Sequence, residues 1–101
     1  MTNQQQFLNL IGIANRAGKV VTGSDIILNA IKKRQISFLV IASDTGKSTT
    51  KKFIDKAHSY QIDYDDSITK QALSDAIGKP RTMVGIADRG FANKLREIKS
   101  N

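Results

Sequence analysis

Apolar residues recur along this chain in two periods. Phe7, Leu10, Ile11 and Ala14 follow at helical spacing and predict an amphipathic helix over residues 4–17. Gly18 stands where a helix is expected to end in a left-handed residue, with Arg16 placed against the negative helix end. Residues 19–22 form a β-branched run and predict a strand. Residues 24–33 predict a second helix with Ile27, Ala30 and Ile31 inward. Residues 36–42, ISFLVIA, are almost wholly apolar, the pattern of a central strand covered on both faces. After a loop at 43–47, a helix is expected from Ser48 or Thr49 to Tyr60, burying Phe53, Ala57 and Tyr60. Residues 62–65 predict a short strand. Residues 69–77 predict a helix capped by Ser67 or Thr69, closed by Gly78 and barred from continuing by Pro80. Residues 82–87 predict another apolar strand. The turn at 88–90 leads into a last helix holding Phe91, Leu95 and Ile98.

Strands alternating with helices predict an α/β fold whose sheet is covered on both faces. Loops are short, no linker or repeat interrupts the pattern, and a single domain over residues 1–101 is expected. With aromatic residues at 6% and no Trp, the core should be built from Ile, Leu, Val and Ala.

Charge adds the first hint of a partner. The formal net charge is +7 and the pI about 9.9, which points to nucleic acid or another anionic surface. The excess is slightly larger in the first half, where six Lys/Arg face two acids, against ten facing seven in the second. There are no cysteines, which excludes disulfides, thiolate zinc sites and a Cys nucleophile. The opening MTNQQQFLNL has neither a basic n-region nor a long apolar run, so no signal peptide is expected. No apolar stretch approaches a membrane span. A soluble cytoplasmic protein without a membrane partner is the expectation.

The richest stretch is residues 15–34, NRAGKVVTGSDIILNAIKKR. A new helix is expected to open on Ser24 and Asp25, whose side-chain oxygens suit the orphan N–H groups of a helix start. Gly23 before them permits close approach of a backbone or a ligand. Arg16, Lys19, Lys32, Lys33 and Arg34 flank the motif. Backbone donors among cations suit a polyanion.

Other motifs are weaker. IASDTGKSTT, residues 41–50, resembles a phosphate-binding loop ending in Gly46, Lys47 and Ser48. The full pattern needs a glycine where Ile41 stands, so nucleotide hydrolysis ranks last among the readings. Asp63, Asp65 and Asp66 lack the glycine and glutamate of a calcium loop, since Ile68 and Ser74 occupy those positions. A solvated strand end is the expectation there, with no metal. His58, the sole histidine, falls off the apolar face of its helix and reads as a surface residue. Lys51, Lys52 and Lys56 read as a solvated outer face. No nucleophile elbow or paired-carboxylate signature is present, so no catalytic residue and no cofactor are expected.

The strings LIGIANRAGKVVTG, ISFLVIASDT and AIGKPRTMVGIADRGFANKL resemble one family over nearly the whole chain. It is the bacterial YlxQ-type branch of the kink-turn-binding ribosomal protein superfamily, of L7Ae, L30e, S12e and Gadd type. The resemblance implies a three-layer α-β-α sandwich around a four-stranded mixed sheet, and a structured RNA partner, ribosomal RNA included. In that family the second helix opens with a glycine, a polar pair and then a lysine. It enters an RNA groove widened by a kink and reads sheared G·A pairs, where an ordinary A-form major groove is too narrow. By this resemblance Gly23 matches, and the pair falls on Asp25 and Ile26, with Ser24 between it and the glycine. Asn29 takes the lysine's place. Asp25 is able to accept from a guanine edge and Asn29 to hydrogen-bond a base, whereas Ile26 is not. The family's second RNA contact corresponds to residues 78–82. There Lys79 and Arg81 are expected to reach phosphates, Pro80 to give a stiff apolar contact, and Thr82 to close the loop. The expectation is therefore a monomeric, non-enzymatic RNA-binding protein associated with translation. A protein-interaction module on the same fold is the alternative.

Overall fold

The computed structural model describes residues 2–100. Its elements are α1 (Asn3–Arg16), β1 (Val20–Thr22), α2 (Ser24–Lys32), β2 (Phe38–Ile41), α3 (Lys47–Ser59), β3 (Asp63–Asp65), α4 (Lys70–Ile77), β4 (Met83–Ile86) and α5 (Arg89–Ser100). The strands lie in the order β1-β4-β2-β3. β4 runs antiparallel to both β1 and β2, and β2 runs parallel to β3, so the sheet is mixed.

Every residue of β2 and β4 is buried, which is why these strands are continuous apolar runs. Alternation along β2 divides the core in two. Phe38 and Val40 pack with Phe7, Ile11 and Ala14 of α1, Leu73 and Ile77 of α4, and Ala92 and Leu95 of α5. Leu39 and Ile41 pack with Ile27, Ala30 and Ile31 of α2 and Phe53 and Ala57 of α3. Three helices on one face and two on the other make a three-layer α-β-α sandwich, as expected. Phe7 meets Phe38 edge-on, with ring centroids 5.9 Å apart.

Element boundaries moved where local capping decided them. α1 opens at Asn3 because Thr2 and Gln5 form a reciprocal capping box. α3 opens at Lys47, one residue before the expected start, on Gly46. Of the two expected caps of α4, Thr69 holds the place, accepting from the Ala72 N–H at 3.2 Å. α2 departs most: Gly23 is its N-cap, and no side chain caps it. Ser24 and Asp25 therefore lie inside the first turn instead of capping it.

The acidic strand end also differs from expectation. Asp63 is exposed, but Asp65 is buried. Its carboxylate accepts from the Ser67 N–H at 3.1 Å and from the Ser67 hydroxyl at 3.0 Å, and Lys99 Nζ lies 3.8 Å away. The turn and the distant lysine supply the partners that a buried carboxylate requires. Among the described residues, no helix is long and apolar enough to cross a membrane.

Candidate nucleic-acid interface

Sheet register decides which sequence-predicted residues meet. Thr22, at the end of β1, pairs with Val84, so Gly23 and the entry to β4 share one end of the sheet. Gly23 holds φ 91° and ψ 123°, a conformation that a Cβ strongly disfavours. It turns the chain from β1 into α2. The first helical bond runs from the Ile27 N–H to the Gly23 carbonyl at 2.8 Å. The N–H groups of Ser24, Asp25 and Ile26 thus open toward the sheet end without a side-chain cap. Ser24, Asp25, Ile26 and Asn29 are all exposed. Ile26 is 62% exposed, and it and Ile13 are the two large hydrophobic side chains that stand out among the described residues.

The loop at 78–82 arrives at the same end. Gly78 closes α4 in the left-handed conformation, φ 84°. Ser74 then latches the loop: its Oγ accepts from the Arg81 N–H at 3.0 Å, and its hydroxyl donates to the Arg81 carbonyl at 3.2 Å. The Thr82 carbonyl accepts from the Ala42 N–H at 2.8 Å and from the Thr45 hydroxyl at 3.4 Å. Asn15 Nδ2 holds the Ile77 carbonyl at 3.2 Å. Lys79, Pro80 and Thr82 are exposed. Arg81 is half-buried, and its Nη1 donates to the Pro80 carbonyl at 2.8 Å. The expected phosphate contact is thus engaged with its own loop, and Lys79 is the freer cation.

Three predicted site residues, and Arg34 beyond them, do not join this end. The Lys19 carbonyl accepts from the Ala87 N–H, which places Lys19 at the opposite end of the β1–β4 pair. Lys32 and Lys33 lie at the far end of α2, about 14 Å from Gly23 at ~1.5 Å rise per residue. The sequence grouped them with Gly23 because they are near it along the chain.

What remains near Gly23 and the loop is of mixed charge. A groove against the loop is lined by Asp44 and Asp75 as well as Lys70 and Lys79. The loop that leads into Gly46, Lys47 and Ser48 is held by structural bonds at Asp44 and Thr45. Asp44 Oδ1 accepts from the Lys70 N–H at 2.8 Å, and the Thr45 carbonyl accepts from the Thr50 hydroxyl at 3.4 Å. Further along α3, Asp55 accepts from Lys51 Nζ at 2.8 Å, and this bond pushes the Lys51 ammonium above its ordinary range. His58 is exposed and meets the Tyr64 ring edge-on. Among the described residues, no group of three or more His, Asp or Glu is placed to hold a metal ion.

The architecture and this end of the sheet define a class: an α-β-α sandwich that presents an open helix start beside a latched loop. Residues 5–96 match the Ribosomal protein L7Ae/L30e/S12e/Gadd45 family, and the chain belongs to that family. It is 36% identical over 96 residues to the RNA-binding protein YlxQ of Enterococcus faecium, covering 95% of this chain and 93% of that protein. It is also 36% identical over 91 residues to the RNA-binding protein YlxQ of Bacillus subtilis (strain 168), covering 89% and 91%. A solved protein of unknown function from Bacillus halodurans superimposes with a TM-score of 0.90 at 36% identity, over 94% of this chain and 97% of that one. The Giardia lamblia 15.5kD RNA binding protein shares the fold at a TM-score of 0.83 and 18% identity, over 97% and 85%.

Proposed function

We propose that this chain is a single-domain, monomeric, cytoplasmic RNA-binding protein without enzymatic activity or cofactor. It acts in translation and takes structured, kink-turn-like RNA, including ribosomal RNA. The observation that carries the reading is the exposed start of α2, with three uncapped N–H groups after Gly23, at the sheet end that also holds the Ser74-latched loop. The two YlxQ relatives, named as RNA-binding proteins, support it.

Gly23, Ser24, Asp25, Ile26 and Asn29 form the reading element of this site. Lys79, Pro80, Arg81 and Thr82 form its positioning element. Asp25 sits in the first turn of α2, where its carboxylate meets the positive helix end. That carboxylate disfavours a phosphate there and suits a donor edge such as guanine's. Phosphate contact then falls to Lys79, while Ile26 leaves the base edge it faces without a hydrogen-bond partner.

Titration of a kink-turn RNA at several salt concentrations tests the reading. Wild type should bind it more tightly than a plain duplex, and Lys79→Ala should lower the salt slope by about one unit. A protein partner docking on Ile26 is the second reading. It would show as equal weak binding to both RNAs, with a slope that Lys79→Ala leaves unmoved.

A further inference from the structure

The basic residues that leave the Gly23 end collect elsewhere. Three of the chain's five arginines, Arg34, Arg89 and Arg96, line one groove at the opposite end of the sheet. Ile36 and Ser37 ahead of β2, Tyr60 after α3 and Asn93 of α5 are among its walls, and none of the described residues that line it is acidic. The Arg34 guanidinium stands over the Tyr60 ring, 5.2 Å from its centroid. That contact orients the cation without neutralising it. Arg34 and Arg89 form no salt bridge among the described residues. Arg96 reaches Asp63 at 3.1 Å, but both side chains are well exposed, and such a pair is readily exchanged. Asp88, the acid next to Arg89, is engaged by the Phe91 N–H at 2.9 Å.

The positive surface continues beyond the groove. Lys32 and Lys33 precede Arg34 at the end of α2. Ser37 donates its N–H to the Ile86 carbonyl, and Ala87 donates to Lys19, so Lys19 and Arg89 flank the same strand end. From β1 to β3 this edge spans about 14 Å, at ~4.8 Å per strand. A single small anion needs one pocket. A basic strip of this length suits a run of phosphates, and guanidinium forks pair with phosphate oxygens bidentately.

We propose that the Arg34–Arg89–Arg96 groove, with Lys19, Lys32 and Lys33, is a second RNA surface that holds the phosphodiester backbone of a duplex without reading its bases. The proposal rests on the RNA-binding reading above. It gives the protein two RNA contacts at opposite ends of one sheet, one for reading and one for holding, and lets it bridge two RNA segments.

The probes are a plain RNA duplex of about 20 base pairs and a kink-turn hairpin with short arms, each titrated at several salt concentrations. The variant is Arg34→Asn/Arg89→Gln. Asn tolerates the left-handed backbone of residue 34, φ 57°, and Arg89 is exposed. Duplex affinity should fall about tenfold and the salt slope by about two units, while hairpin affinity changes less than about threefold. Arg34→Lys/Arg89→Lys should keep most of the slope. Arg89→Gln alone should remove about one unit, so the proposal stays testable if the double variant melts early. Unchanged duplex affinity and slope in Arg34→Asn/Arg89→Gln would overturn the second surface. So would wild type that binds the hairpin but not the duplex, or a poly-glutamate peptide that binds the groove in preference to the duplex. Wild type that binds neither RNA would overturn the RNA reading itself.

Discussion

Gly23→Ala isolates the backbone device on which the proposed reading site depends. An added Cβ would meet only Ile26, with Cδ1 at 3.5 Å and Cβ and Cγ1 at 3.9 Å, which is ordinary van der Waals contact. No clash contributes, so the cost is that of holding alanine at φ 91°, ψ 123°, about 1–3 kcal/mol. At about 4–8 °C per kcal/mol for a domain of this size, Tm should fall by about 4–24 °C if the native backbone is kept. If the chain relieves the strain by shifting the start of α2, Tm falls less. The RNA complex must then restore the native start, and affinity drops instead. The stability loss and the binding loss should therefore sum to about 1–3 kcal/mol, whichever way they divide. Thermal unfolding followed by circular dichroism gives the first term, and titration of a kink-turn RNA the second. Gly46→Ala is the control: Gly46 also caps a helix, but at φ −55° with open space around its Cα. It should shift Tm less than Gly23→Ala and leave RNA affinity unchanged. Gly23→Ala with both Tm and affinity at wild-type values would refute the backbone reasoning.

Three other substitutions probe the same end of the sheet. Ser74→Ala removes both bonds that latch the Arg81 backbone; a loss of about 1–2 kcal/mol in chemical unfolding is expected, with weaker kink-turn binding, since neither group finds an equal partner. Ile26→Glu combined with Asn29→Lys restores hydrogen-bonding side chains to α2, and should raise affinity for a kink-turn more than for a plain duplex, by about 1–3 kcal/mol per good contact. Equal gains on both RNAs would mean that the lysine acts only as charge. Lys47→Ala should leave RNA titrations within about twofold of wild type, because the loop before it is tied to α4 and to Thr82, and wild type should turn over neither ATP nor GTP. Turnover lost in Lys47→Ala would restore the phosphate-loop reading.

Much of the fold was legible because β2 and β4 are buried on both faces and so write themselves as apolar runs, while α1, α2 and α4 carry their core residues at helical spacing. The start of α2 was misread for a local reason. Ser24 and Asp25 are the usual capping types, yet the turn out of β1 requires a positive φ, and only Gly23 supplies it cheaply. Asp65 departs from expectation partly for a distant reason, since Lys99 of α5 lies 3.8 Å from a carboxylate that the Ser67 turn also holds. The candidate site divided along the same line. Gly23 through Ile26 and residues 79–82 lie at one sheet end, but nearness in sequence joined Lys19, Lys32 and Lys33 to them. The arginine groove had no local signal at all, because Arg34, Arg89 and Arg96 come from segments that only the sheet brings together.

The most direct test of the central claim is to map backbone amide shifts by NMR while a kink-turn RNA is titrated into the labelled protein. Perturbations at the amides of residues 23–26, 79, 81 and 82, larger than those at any other group of residues, are the predicted result. Shifts confined to Arg34, Tyr60, Arg89 and Arg96, or no shifts at saturating RNA, would contradict it.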